Sequence, residues 1–135
     1  MRAHYLSKSP ETLTRLAADE DESIRREVAL HPNTPQEVLA RLAGDTDEYV
    51  RMNVGSNKNT PPEILTLLAK DQDWIVRLAV ADNPNTPQEV LIRLAGDTNE
   101  RVRQNVAKHK NAPPETLTLL AKDQDKVVQL SLIHI

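Results

Sequence analysis

The sequence predicts an all-α solenoid of about five stacked 26-residue repeats. Three observations predict it. Identities return at one interval without a gap: Ala17, Ala43, Ala69, Ala95 and Ala121 stand 26 residues apart, and Leu13, Leu39, Leu65, Leu91 and Leu117 keep the same step. Glu11, Glu37, Glu63, Glu89 and Glu115 do likewise, as do Asp19, Asp45, Asp71, Asp97 and Asp123. Within each interval apolar residues fall three and four apart, the spacing of one helix face. Each interval opens on a helix-start signal and closes on an Asn-rich turn. A fixed period of this length marks units that bury their apolar faces only by stacking. LTLLAKDQD at Leu65–Asp73 returns at Leu117–Asp125, adding a period of 52, as duplication of a two-repeat unit would.

Met1 to Lys8 match the unit poorly and are expected to be an N-terminal cap or partial repeat; residues 9–129 hold the tandem copies. Each copy begins as in Thr34-Pro35-Gln36-Glu37. Thr34 is placed to cap a helix, Pro35 to occupy its first position, and Glu37 to bond back to the cap. Leu39, Leu42 and Ala43 then form an apolar stripe. Gly44, Gly96, Lys70 or Lys122 follows it, Gly permitting a left-handed cap and Lys complementing the helix dipole.

A second helix follows, capped by Asp47 or Thr46, with Val50 and Val54 on one face. Ile24 with Val28, Val76 with Val80, and Val102 with Val106 repeat the pattern. Neither helix exceeds roughly three turns, so stacking must stabilise both, and one of them is tight enough to be expected as 3-10. The copy closes on Asn57-Lys58-Asn59 or its equivalents His31-Pro32-Asn33, Asn83-Pro84-Asn85 and His109-Lys110-Asn111. Asn and His share the first place, which suggests a left-handed backbone there.

The pattern Thr-Pro-x-Glu-x-Leu-x-x-Leu-Ala-x-Asp-x-Asp-x-x-Val-Arg-x-x-Val-Ala-x-Asn-x-Asn resembles the leucine-rich repeat variant family from Ser9 to about Val128. The resemblance implies a right-handed superhelix of short α and 3-10 helices, akin to HEAT and armadillo solenoids. Some family members carry a cysteine cluster. This chain has no cysteine, so no cofactor carries over. The segment Asp45–Arg51 also looks like a HEAT repeat, but HEAT units are longer, near 40 residues.

By the longer period Arg77–Asn83 should return at Gln129–Ile135, and there the register fails. The last six residues, Leu130–Ile135, match a translated transposase adapter (CTG TCT CTT ATA CAC ATC). They are expected to be non-native read-through, with a divergent C-cap as the other reading. With Val127, Val128, Leu130, Leu132, Ile133 and Ile135 expected to be uncovered, the chain is expected to fray after about Lys122, or to be a monomer or an end-to-end dimer through that repeat.

Composition excludes several functions. Net charge is −3, so no global positive field argues for nucleic acid. Without cysteine there are no disulfides, thiol nucleophiles or Cys-ligated metals, which fits a cytoplasmic protein. No apolar run is long enough for a membrane span. His31 and His109 lie three repeats apart, on the order of 25–30 Å at about 8–10 Å per layer, too far to share an ion. His4 and His134 lie near opposite ends. Asp19-Glu20-Asp21-Glu22 has the charge of a calcium cluster without EF-hand spacing, and reads as a helix start. Asp71 and Asp73 could serve as paired acids, but carboxylates repeated in most copies look structural. No metal site and no catalytic constellation is expected, and the chain is read as not an enzyme.

Arg25, Arg51, Arg77 and Arg103 form a column with two readings. One is a phosphate-binding ladder. The other is a structural ladder to Asp45, Asp71 and Asp97, which suits the Arg fork. Function belongs to columns that vary: Glu22, Glu48, Trp74, Glu100, Lys126, and beside it Ser23, Tyr49, Ile75, Arg101, Val127. Trp74, Tyr49 and Arg101 are the candidate binding residues, since aromatics at a surface anchor interfaces. Alternatively Trp74 packs over a seam between repeats. The expected function is a non-catalytic scaffold binding a protein partner. The alternative is nucleic acid or another polyanion bound through the Arg column.

Overall fold

The computed structural model describes residues 8–134, with no side-chain description of His134. Met1 to Ser7 and Ile135 lie outside the described residues, and with them most of the expected N-terminal cap, His4, Tyr5 and the last residue of the suspected read-through. Ten α-helices follow in order: α1 Pro10–Leu16, α2 Glu22–Leu30, α3 Gln36–Leu42, α4 Glu48–Ser56, α5 Pro62–Leu68, α6 Trp74–Asp82, α7 Gln88–Leu94, α8 Glu100–Lys108, α9 Pro114–Ala121 and α10 Lys126–Leu130. A 3-10 turn, Ser131–His134, ends the described chain.

Each repeat is a short first helix and a longer second one. The second helices pack directly on one another in chain order, whereas each first helix packs mainly on the second helices of its own and the preceding repeat. Between the layers runs one apolar strip, with Leu13, Leu39, Leu65 and Leu91 from the first helices and Val28, Val50, Val54, Val76, Val80, Val102 and Val106 from the second, all essentially inaccessible.

The helix starts differ from the sequence expectation. Pro35, Pro61, Pro87 and Pro113 are the N-cap residues and make no side-chain cap bond. Thr34 lies one residue earlier, and its hydroxyl donates to the Val28 carbonyl at 2.5 Å. Thr60 and Thr86 do the same to Val54 and Val80 at 2.6 Å. The threonine therefore gives a second donor to a last-turn carbonyl that already accepts the His31, Asn57 or Asn83 N–H, joining two elements rather than starting one. Ser9 does cap α1, accepting from the Thr12 N–H.

No residue among those described has a positive φ. Gly44 and Gly96 thus use no left-handed conformation. The first helices finish in right-handed geometry, with Gly44 N–H on Arg41 O and Asp45 N–H on Leu42 O. That is why Ala18, Lys70 and Lys122 serve equally well at that place. Such i→i−3 bonds occur at helix ends and in the turns between repeats, as Thr60 N–H on Asn57 O shows. Both helices of the repeat are α, with i→i−4 bonds from Leu39 to Pro35 in the first and from Arg51 to Asp47 in the second, and among the described residues 3-10 geometry forms an element only at Ser131–His134.

His31, Asn57, Asn83 and His109 are also extended, with φ near −70°. Their side chains explain the column. Asn57 Oδ1 accepts from Asn59 N–H at 2.8 Å, while its Nδ2 donates to Ala29 O at 2.8 Å and His31 O at 3.1 Å. Asn83 repeats this onto Gly55 O and Asn57 O. His109 Nδ1 accepts from Asn111 N–H, so its Nε2 carries the proton and donates to Asn83 O at 2.8 Å. His and Asn share the place because Asn57, Asn83 and His109 each aim an acceptor at their own turn and a donor at the previous layer, while His31 keeps the acceptor half, taking the Asn33 N–H at 3.0 Å. Outside this run, Asn59, Asn85 and Asn111 donate to Pro32, Lys58 and Pro84 carbonyls.

Candidate binding surface

Each seam between repeats carries one Arg–Asp rung. Arg25, Arg51, Arg77 and Arg103 stand at the fourth position of a second helix, and each reaches the Asp that follows the next first helix. Nε to Oδ2 distances are 2.9 Å to Asp45, 2.8 Å to Asp71, 2.7 Å to Asp97 and 2.7 Å to Asp123. The Nη2 atoms complete two-pronged contacts. Nη1 donates to the carbonyl of the repeat's own Asp, as Arg51 does to Asp45 at 2.8 Å. Each carboxylate also accepts the backbone N–H two residues on.

The rungs are mostly covered; Arg51 and Asp71 side chains are 11% and 10% exposed. Hydrogen bonding to the carboxylate raises the Arg25, Arg51 and Arg103 guanidinium pKa values. Burial pushes the Asp123 carboxyl upward, but its bonds from Arg103 and the Asp125 N–H outweigh that and leave it lowered. At the fifth repeat Gln129 keeps only the inward half of the Arg role, donating to the Asp123 carbonyl.

All three donor positions of each Arg fork are engaged, so the column presents no free fork to phosphate. Asp71 is held by Arg51 and the Asp73 N–H, which ties it into the seam. In the acidic run, Asp19 accepts from Asp21 N–H and Asp21 caps α2.

The candidate binding residues lie on the outward face of the second helices. Trp74 opens α6 and is half-buried, while Tyr49 on α4 and Arg101 on α8 are exposed. Arg101 stacks over Trp74, its guanidinium carbon 5.9 Å from the ring centroid. Tyr49 has its own cation: Arg26 stands 4.9 Å above the ring and is ion-paired to Asp47 at 2.8 Å. The Arg26–Asp47 pair escapes a reading by columns, because Arg26, Met52, Leu78 and Gln104 share no chemistry. Between the two aromatics, Met52, Ile75 and Leu78 are half-buried and pack against the core.

The α4–α6 contact beneath this patch is the closest of the seams. Gly55 makes it so: a Cβ there would stand 3.1 Å from the Ala79 Cβ. Glu27, Asn53 and Asn105 occupy the Ala79 position in other repeats.

Paired short helices in 26-residue layers, with one Arg–Asp rung per described seam, make this a helical-repeat solenoid. A family model described as leucine rich repeat variant matches residues 23–47, 74–98 and 100–125, more than half of the chain, and the chain belongs to that family. It is similar to a solved structure described as a leucine-rich repeat variant with a novel repetitive protein structural motif. That likeness has 28% identity and a TM-score of 0.62, and it covers 98% of this chain and 70% of the other. No curated protein matches the chain.

Proposed function

We propose that the chain is a non-catalytic scaffold that binds a protein partner across the outward face of its second helices, centred on Trp74. The observation that carries this reading is the change in that face between seams. α2 offers Glu22, Ser23 and Arg26, and α8 offers Glu100, Arg101 and Gln104. Between them α4 and α6 offer Tyr49, Met52, Trp74, Ile75 and Leu78. Aromatic and Met side chains flanked by Arg have the composition of interface cores. The seam residues, by contrast, keep their identities and are occupied by one another. The filled Arg forks favour this reading over a polyanion bound through the same column.

Affinity capture followed by mass spectrometry, run with the native chain and with Trp74→Ala, tests it. A protein retained by the native chain and lost from a variant with unchanged melting supports the reading. Retention of nucleic acid instead, released as salt rises, would replace it.

A further inference from the structure

The two ends of the apolar patch are built alike but satisfied differently. Each ends on an aromatic ring under an arginine. Arg26 over Tyr49 has its carboxylate within the chain, at Asp47. Arg101 over Trp74 has none: its side chain stacks on the ring, and no described carboxylate pairs with it, Glu100 beside it in sequence included. We infer that Arg101 and Trp74 together receive an extended peptide segment in which an acidic side chain follows or precedes a bulky apolar one within two residues. This rests on the protein-binding reading and narrows the partner's chemistry.

The geometry sets the roles. Trp74, Ile75 and Leu78 give an apolar surface already packed from below, so a side chain laid on it loses water without disturbing the core. A ring face holds the Arg101 guanidinium in place, which reduces what a carboxylate must do to order it. The guanidinium edge remains free for two parallel hydrogen bonds to a carboxylate. Exposed Lys108 on the same helix and Lys126 at the next repeat, with Arg101, outnumber Glu100 and leave this end of the surface positive, whereas Glu22 and Glu48 lie toward the other end. Charge complementarity thus places the acidic residue of the segment on the α8 side and its apolar residue on the α6 side.

The test is selection from a random dodecapeptide display library on the full immobilised chain, then titration of enriched, labelled peptides. Enriched sequences should place Asp or Glu within two residues of Leu, Ile, Met, Phe or Trp. Arg101→Gln and Trp74→Ala should each weaken binding about tenfold or more, the loss expected for one well-placed charged or aromatic anchor. Arg101→Lys should recover only part of the loss, and changing the peptide's Asp to Asn should reproduce it. Arg93→Gln, which removes one exposed charge from the first-helix side, should leave binding within about twofold. Enriched peptides that lack an acid yet depend on Trp74 would overturn the carboxylate assignment and leave the protein-binding reading standing. An equal affinity for Arg101→Gln overturns it too. The absence of any Trp74-dependent clone overturns both.

Discussion

Replacing Arg51 by alanine removes one complete rung. Four contacts go: Nε and Nη2 to Asp71, at 2.8 and 3.3 Å, and Nη1 to the Asp45 and Thr46 carbonyls at 2.8 and 3.3 Å. What remains is an Asp71 carboxylate whose side chain is 10% exposed and whose surviving partner is the Asp73 N–H. Breaking a buried pair costs about 3–5 kcal/mol because the stranded charge stays desolvated. The rung lies at the edge of the seam, where truncation admits water, so the lower end applies and the expected loss is about 3 kcal/mol. At roughly 3–4 °C per kcal/mol for a domain of this size, the melt should fall by about 10 °C. Urea unfolding followed by circular dichroism at the helix band measures it. Arg51→Leu with Asp71→Leu removes both charges and should recover most of the loss, since an apolar replacement leaves no stranded ion. Arg26→Ala, whose side chain is 36% exposed against 11% for Arg51, should move the melt less. An Arg51→Ala variant within about 0.5 kcal/mol of the native chain, below the range for any buried unpaired charge, refutes the structural account of the ladder.

Three further outcomes follow from single contacts. Asn83→Ala takes the donor from Gly55 O and Asn57 O and should cost about 1–3 kcal/mol in urea titration, whereas Asn83→His, the exchange the chain itself makes at His109, should keep much of it. Gly55→Ala puts a methyl 3.1 Å from the Ala79 Cβ; it should destabilise by about 1–3 kcal/mol, and the same change with Ala79→Gly should cost less than Gly55→Ala alone. The Asp47 and Asp123 carboxyls are lowered, so their contribution is complete above the ordinary carboxylate value of about 4 and is lost as pH falls through their folded values. The stability gap between the native chain and Asp123→Asn should therefore shrink as pH drops from about 5 toward 2, and a constant gap would contradict the assignment.

The period, the two helices of each repeat, the valine and leucine stripes and the pairing of Arg with Asp are all legible in the sequence, for one reason. A column repeated five times averages out local ambiguity, and Arg and Asp twenty residues apart fall on neighbouring layers of a 26-residue stack. The turn chemistry was not legible in the same way. Thr before Pro-x-Glu has the form of a capping box, yet its hydroxyl turns back to the previous helix, because a proline at the N-cap already sets the extended backbone there. His and Asn together suggest a left-handed residue only while the neighbouring layer is out of sight. With that layer in place, their shared property is an acceptor and a donor on opposite sides of a flat group. Propensity describes a residue against its own backbone, whereas these residues are chosen for the carbonyl of the repeat before.

The same distinction bears on where function resides. The family pattern is matched on either side of residues 48–73 but not across them. Yet the Arg51–Asp71 rung, the Asn57 bridge and the Thr60 bond in that stretch have the same geometry as their counterparts elsewhere. Divergence there has left the seams intact. The stretch includes Tyr49, Met52 and Gly55, two on the outward face and one that lets α4 and α6 approach beneath it. A solenoid repeat can change its outer face freely only while its seam contacts hold the stack, since each layer depends on its two neighbours alone. On that ground a solvent-facing residue of a second helix can change at less cost to the fold than a residue of the seam.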